Sequence, residues 1–240
     1  VFFALFGMSP YISWILVVPI TFVFGWVVFR LVRQTVGKDH VNQILLTIGL
    51  SIAIQNMLLL FFKSDYRTVP VIFDESIKFA NIYLSRESLI AFIIGIAATG
   101  AFFLFLNRTQ VGRAMRAVSQ DRHAAHLMGI NVPRMDSLVF SLGFAMAGLA
   151  GCLLITMFAI NPQIGSVYNL VAWITMVLGG LGKLPGALVA AFLIGICETA
   201  TGFYLGADLR QVVYYVLFIL VLIFFPNGIF YRVAKIGGRS

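Results

Sequence analysis

The chain has 240 residues, of which 60% are hydrophobic and 11% charged, with a formal net charge of +8 and a mean hydropathy of +0.98. This composition excludes an ordinary soluble globule and describes an integral membrane protein. The apolar runs are uniform rather than alternating, which excludes β-barrel strands and predicts an all-α, polytopic transmembrane helical bundle.

A spanning helix needs roughly 20 apolar residues to cross a hydrocarbon core about 30 Å thick. On that basis the chain divides into a stub at 1–6 and spans at 11–32, 41–62, 88–107, 137–160, 167–182, 186–203 and 210–226, about seven spans in one transmembrane domain, 1–240. The opening "VFFALFG" reads as the tail of a helix, so further sequence is expected before Val1. Threading the spans alternately leaves twelve of the 17 Lys and Arg on one side, among them Arg30, Arg33, Arg113, Arg116, Arg122 and Arg134, and five on the other. Lys/Arg bias marks the first side as cytoplasmic, and the C-terminus falls there. The 63–87 loop is then external, and 108–136 is the longest cytoplasmic segment.

Within the second span, Thr47, Ser51 and Gln55 recur every four residues, with Asn56 beside them. Polar groups facing lipid are costly, so this stripe either bonds to neighbouring helices or lines a polar path. Small residues recur at the same interval in two other spans: Gly143, Ala147 and Gly151, then Ala187, Ala191 and Gly195. Such stripes let helix backbones approach closely in lipid. Glu198 is the one acid inside a predicted span, and an intramembrane acid is a candidate functional group.

The cytoplasmic segment carries "RAMRAVSQDRHAAHLMGINVPR" from Arg113. Asp121 suits an N-cap and Gly129 the residue after a helix end. Between them "RHAAHLM" makes about two turns, with Asp121, Ala124, Ala125 and Met128 on one side. The two alanines allow a close approach to another surface. The arginines suit acids on a partner or anionic lipid. A basic loop lying on the membrane is the competing reading.

Several chemistries are excluded. "GGLGKLPGA" lacks the phosphate-loop pattern, because Lys183 is followed by Leu184 and position 177 is Val. It reads as a tight turn with Pro185 opening the next helix. His123 and His126 have no third ligand nearby, and Cys152 and Cys197 sit in apolar runs, so no metal site is expected. The basic residues cluster at span ends, which argues against nucleic acid. No nucleophile triad or paired intramembrane acids appear, so the chain is not expected to be an enzyme.

The stretch "RAVSQDRHAAHLMGIN" resembles the cytoplasmic loop of branched-chain amino-acid permeases of ABC importers. The matching positions are Arg116, Ala117, Asp121, Ala124, Ala125, Gly129, Ile130 and Asn131. "VLGGLGKLPGALVAAFLIGICE" is similar to that family's Gly-rich turn and the helix after it, through Gly179, Gly180, Gly182, Pro185, Gly186, Gly195 and Glu198. "IGLSIAIQN" from Ile48 and "FFPNGIF" from Phe224 match less specifically. The family's earlier helix and "NFAHG"-like motif have no counterpart here.

The resemblance implies a permease subunit in a bacterial inner membrane that binds no cofactor itself. Its partners would be a homologous second permease, two cytoplasmic ATPase subunits holding ATP and Mg, an external substrate-binding protein and the lipid bilayer. Coupling to the ATPase would fall on Arg116, Ala117, Asp121, Arg122, Ala124, Ala125, Met128 and Gly129. A polar path would use Thr47, Ser51, Gln55, Asn56 and Glu198. Two alternatives stay open: a urea or short-amide permease of the same family, and a self-sufficient channel or ion-coupled carrier.

Overall fold

A computed structural model describes residues 10–33, 40–63, 77–79, 82–159, 161–180, 182, 184–204, 206 and 210–224. The helices, in chain order, are α1 (Pro10–Val32), α2 (His40–Phe62), α3 (Arg86–Arg108), α4 (Gln110–Gln120), α5 (Arg122–Leu127), α6 (Val132–Met157), α7 (Ile164–Gly179), α8 (Leu184–Tyr204) and α9 (Arg210–Phe224). Two short strands, β1 (Ile77–Phe79) and β2 (Ile82–Leu84), pair antiparallel with Lys78 opposite Tyr83. The hairpin lies in the 63–87 segment expected to be external and is the one sheet among the described residues. The expected stub 1–6, most of the 63–87 loop, Lys183 and nearly all of "FFPNGIF" lie outside the described residues.

Among the described residues, five helical stretches are long and apolar enough to cross a membrane: Trp14–Val32, Val41–Phe62, Arg86–Arg108, Val132–Met157 and Leu184–Tyr204. The other two expected spans fall on shorter apolar helices. α7 has 16 residues and α9 has 15, about 24 and 22 Å at 1.5 Å per residue. Among the described residues the expected count of about seven spans is therefore met by five helices of spanning length and two shorter apolar ones, and is not confirmed.

The chain forms two compact units, 1–162 and 163–240. In the first, α1 packs along α6. Val28, Phe29 and Val32 are buried on α1, and Ser141 and Ala145 on α6. The approach is close because two glycines stand in the seam. A Cβ at Gly25 would meet Phe144 Cβ at 2.7 Å, and one at Gly148 would meet Thr21 Oγ1 at 2.5 Å. Phe140 and Phe144 stack beside the seam, 5.2 Å between ring centroids, and Phe29 lies 5.6 Å from Phe140. Ser141 is fully buried, and its hydroxyl donates to the Ser137 carbonyl at 2.7 Å, so no polar atom is left unsatisfied in the apolar contact.

The expected stripe on α6 is offset from this seam. Gly143, Ala147 and Gly151 are exposed in the chain, and nothing stands within 4 Å of a Cβ built at Gly143 or Gly151. α6 carries small residues on several faces, and the positions opposite Thr21 and Gly25 are the ones that α1 uses.

In the second unit Ile174, Leu178, Ala190, Ile194, Tyr214 and Val221 form a core across α7, α8 and α9. α7 and α8 meet at Gly179 and Gly186. A Cβ on either would collide with the other's backbone or its neighbour's. Gly180 and Gly182 turn the chain between them with φ of 87° and 80°, a conformation that glycine adopts without penalty. The Gly-rich turn is therefore where the sequence places it. Of the expected α8 stripe, Ala187 is half-buried while Ala191 and Gly195 are exposed.

Candidate coupling site

The site is built from α4, α5 and the first turns of α6. α3 ends at Thr109, whose hydroxyl donates to the Phe105 carbonyl at 2.7 Å and accepts the Gly112 N–H at 2.9 Å. Thr109 thus closes one helix and opens the next with no intervening loop. Gly112 is required at this corner, because a Cβ there would lie 2.5 Å from the carbonyl oxygens of both Phe105 and Leu106.

α4 is strongly two-sided. Gly112, Met115 and Val118 are buried, while Arg113, Arg116, Ser119 and Gln120 are exposed. The i, i+3 and i+6 spacing defines its inner face. Arg116 donates to Asn107 Oδ1 at 2.6 Å, which ties α4 back to the end of α3. Sequence reading missed α4 as a helix, because its short apolar period is embedded among arginines.

Asp121 serves both neighbours. Its N–H donates to the Ala117 carbonyl at 3.1 Å and ends α4. Its Oδ1 accepts the N–H groups of His123 and Ala124, at 2.8 and 3.0 Å, and starts α5. These bonds, that from Ala124 foremost, hold the carboxylate below its ordinary pKa. They favour the charged form.

At the other end Gly129 has φ of 79°. Its N–H donates to the His126 carbonyl at 3.0 Å, and the Ile130 N–H reaches back to the Ala125 carbonyl at 3.1 Å. This pair of bonds is the Schellman arrangement. Both expected cap positions, Asp121 and Gly129, therefore do what their residue types allow.

The face of α5 differs from the expectation. Ala125 is 4% exposed and packs in a cluster with Val118 and Val132, flanked by Ala117, Ile130 and Met135. Ala124 is exposed, as are Leu127 at 74% and Met128 at 82%. The two alanines do not share a docking face: Ala125 seats α5 on its own chain, and Ala124 lies open. Leu127 was missed in the sequence. A large apolar side chain left out at the last turn of a surface helix is the signal that would have found it.

Arg122 is turned to the chain's own use, ion-paired with Asp136 near the start of α6. Asn131 caps α6 by accepting the Arg134 N–H at 3.2 Å. Beside Arg122 lies a cavity of about 360 Å³, lined also by Phe29, Val32, Met115, Val118 and Asp136, among others. α5 is thus joined to α6 by a packed alanine, a charge pair and a short capped turn.

The polar residues predicted for a path stand on two helices, four on α2 in the first unit and Glu198 on α8 in the second. The Thr47 hydroxyl donates to the Gln43 carbonyl at 3.0 Å, and Asn56 Nδ2 to the Ile52 carbonyl at 2.8 Å, so both are satisfied by α2 itself. Ser51 is exposed and Gln55 half-buried. Glu198 is half-buried on α8. Among the described residues no three His, Cys, Asp or Glu side chains come together as metal ligands.

Comparison with known proteins decides what this architecture belongs to. The family model described as "Branched-chain amino acid transport system / permease component" matches residues 1–222. The chain belongs to this permease family. The high-affinity branched-chain amino acid transport system permease protein LivH of Salmonella typhimurium is 33% identical over 244 residues, covering 95% of this chain and 79% of that protein. BraD of Pseudomonas aeruginosa, named for the same transport system, is 31% identical over 89% of this chain and 72% of its own length. The ribose import permease protein RbsC of Haemophilus influenzae is 25% identical over 88% of this chain and 68% of its own. No solved structure matches the chain significantly. The family and the apolar helices together make this a multi-pass membrane protein.

Proposed function

We propose that the chain is a permease subunit of an ATP-driven importer that moves branched-chain or related hydrophobic amino acids across a bacterial inner membrane by alternating access. The observation that carries the coupling half of this reading is α5: capped at both ends, seated through Ala125, and exposing Ala124, Leu127 and Met128. An isolated six-residue helix does not hold in water. This one is held by its caps and its seat, and it offers an apolar tip to a partner. The substrate half rests on family membership and on relatives named for branched-chain amino acids.

In this reading the chain is one permease domain with seven crossings, α7 and α9 being short ones, and its C-terminus is cytoplasmic. It pairs with a second, homologous permease and with two ATPase subunits that hold ATP and Mg, and it receives substrate from an external binding protein. ATP-dependent closure of the ATPases moves α5. The movement passes through Ala125 and the Arg122–Asp136 pair into α6, and through the glycine seam into α1. ATP shifts the equilibrium only as far as its differential contacts with the two states allow. Thr47, Ser51, Gln55 and Asn56 on α2 are candidates for a polar path, Thr47 and Asn56 through the lone pairs that their backbone bonds leave open, and Glu198 on α8 is a separate candidate. Gly143, Ala147, Gly151, Ala191 and Gly195 offer flat faces for further helices.

The test is leucine uptake and ATPase co-purification in the reconstituted complex, comparing wild type with Ala124→Arg and Leu127→Asp. Loss of both uptake and co-purification, with an unchanged thermal melt of the permease, supports the reading. Uptake that survives either substitution, or that follows an ion gradient without ATP, would sink it. Uptake of urea or short amides in place of leucine would keep the coupling and overturn the substrate.

A further inference from the structure

A second cavity, of about 790 Å³, opens between α1 and the first turns of α6, and its lining is divided by chemistry. Phe22, Val23, Trp26 and Leu138 give it an apolar wall, and Arg30, Arg33 and Arg134 gather toward one end. All three arginines are exposed. The Arg30 guanidinium lies 4.1 Å from the centroid of the Trp26 ring, which holds the charge against the apolar wall. No carboxylate is among the lining residues. Asp136, the acid nearest on α6, is engaged by Arg122 and lines the neighbouring cavity instead. The groove therefore carries three positive charges with no negative side chain facing them among the described residues.

Its length is informative. From Phe22 on α1 to Arg33, the turn residue that follows the helix, is eleven residue steps, about 16 Å along the axis at 1.5 Å per residue. Half of a hydrocarbon core about 30 Å thick is about 15 Å. The groove, from the start of its apolar wall at Phe22 to Arg33, thus has about the length of one leaflet, with the guanidiniums at its polar edge. A small inorganic anion would have no use for the wall, and an apolar helix would leave the three charges uncompensated.

We propose that this groove binds an anionic phospholipid, its phosphate among Arg30, Arg33 and Arg134 and an acyl chain along Phe22, Val23 and Trp26. The proposal rests on α1 and α6 being spans, and it is independent of the transported substrate. A lipid held there bridges the two helices that carry the movement of α5, so it would set how firmly α1 and α6 stay together.

Trp26 is a built-in reporter. The chain has 3 Trp, so replacing Trp14 and Trp173 with Phe leaves Trp26 as the single indole. The full chain, reconstituted in phosphatidylcholine nanodiscs, receives a small fraction of brominated phosphatidylglycerol or, separately, of brominated phosphatidylcholine. The expected result is quenching by the glycerol lipid at about fivefold lower mole fraction, the factor that about 1 kcal/mol from one juxtamembrane arginine supplies. Arg30→Gln with Arg33→Gln and Arg134→Gln should merge the two curves, and the corresponding Lys triple variant should keep them apart. Equal quenching of wild type by both lipids overturns the proposal. So does no quenching by either, which would mean that protein fills the groove. A preference that survives the Gln variant, or that the Lys variant loses, also overturns it. None of these readouts needs uptake, so a failure of leucine transport leaves this test standing.

Discussion

The guanidinium of Arg122 is ion-paired with the carboxylate of Asp136 across the turn that joins α5 to α6. The arginine side chain is 51% exposed and the aspartate 19%, so the pair is only partly screened by solvent. Its contribution to stability should stay within about 1 kcal/mol. Its value lies in fixing α5 against α6. Arg122→Gln is therefore expected to leave the thermal melt nearly unchanged while lowering substrate-stimulated ATP hydrolysis in the assembled complex. The exchange Arg122→Asp with Asp136→Arg should recover much of the loss. A double-mutant cycle on ATP hydrolysis checks this, and strictly additive losses would show that the pair does not act as a unit.

Adjacent alanines on α5 should respond oppositely to the same change. Arg at position 125 must enter a seat bounded by Val118 and Val132, where Ala125 is 4% exposed. Burying that charge without a partner is prohibitive, so α5 should be expelled and limited proteolysis should cut near it. Ala124→Arg places the charge in the open. It should leave the proteolytic pattern intact and abolish only the association with the ATPase. Equal protease sensitivity of the two variants would refute the seating of Ala125.

Two glycines in this segment should fail for different reasons. At Gly129 nothing stands within 4 Å of an added Cβ, but φ is 79°. Gly129→Ala thus costs only backbone strain, about 1–2 kcal/mol, and Gly129→Asn should cost less. At Gly112 the Cβ would meet two backbone carbonyls at 2.5 Å. Backbone cannot step aside as a side chain does. Gly112→Ala should force α3 and α4 apart and lower the expression of folded protein far more than Gly129→Ala. Fluorescence-detected gel filtration of the two variants provides the comparison.

Asp121 gives a pH dependence with a definite sign. Its carboxylate is held below the ordinary pKa by the N–H groups of Ala124 and His123. A depressed folded pKa means that the cap's stabilisation is complete above the unfolded value and fades as pH falls through the folded one. α5 should therefore stay protected from neutral pH down past the ordinary aspartate range, near about 3.9, and open only in more acidic solution. Asp121→Asn keeps a capping oxygen and should remove that acid dependence. Hydrogen exchange at the Ala124 amide, read as a function of pH, distinguishes the two. An opening of wild-type α5 already complete at pH 5 would contradict the capping geometry.

The sequence made some of this legible because some of it is local. Asp121 and Gly129 announce themselves because a capping carboxylate and a positive φ are demands on single residues. The glycine turn after α7 is legible for the same reason. The orientation of α5 is not local. Whether Ala124 or Ala125 turns inward is decided by Val118 and Val132, which stand on other helices. The seam between α1 and α6 is hidden for a related reason. α6 offers small residues at 143, 145, 147, 148 and 151, and a four-residue interval picks out more than one face. Only the presence of Gly25 and Thr21 opposite selects Ser141, Ala145 and Gly148. The polar stripe on α2 shows the converse, because Thr47 and Asn56 spend their hydrogen bonds on the α2 backbone.

The connections around α5 have a consequence for how this segment can change over time. Thr109 alone separates α3 from α4, Asp121 alone separates α4 from α5, and Met128 to Asn131 complete the passage into α6. Every joint doubles as a cap, so none has slack. One residue inserted after Asp121 would rotate α5 by about 100° about its axis and swing Ala125 out of its seat. From Thr109 to Asn131 the chain behaves as a ruler: it tolerates exchanges of side chain at its exposed positions, but not a change in length.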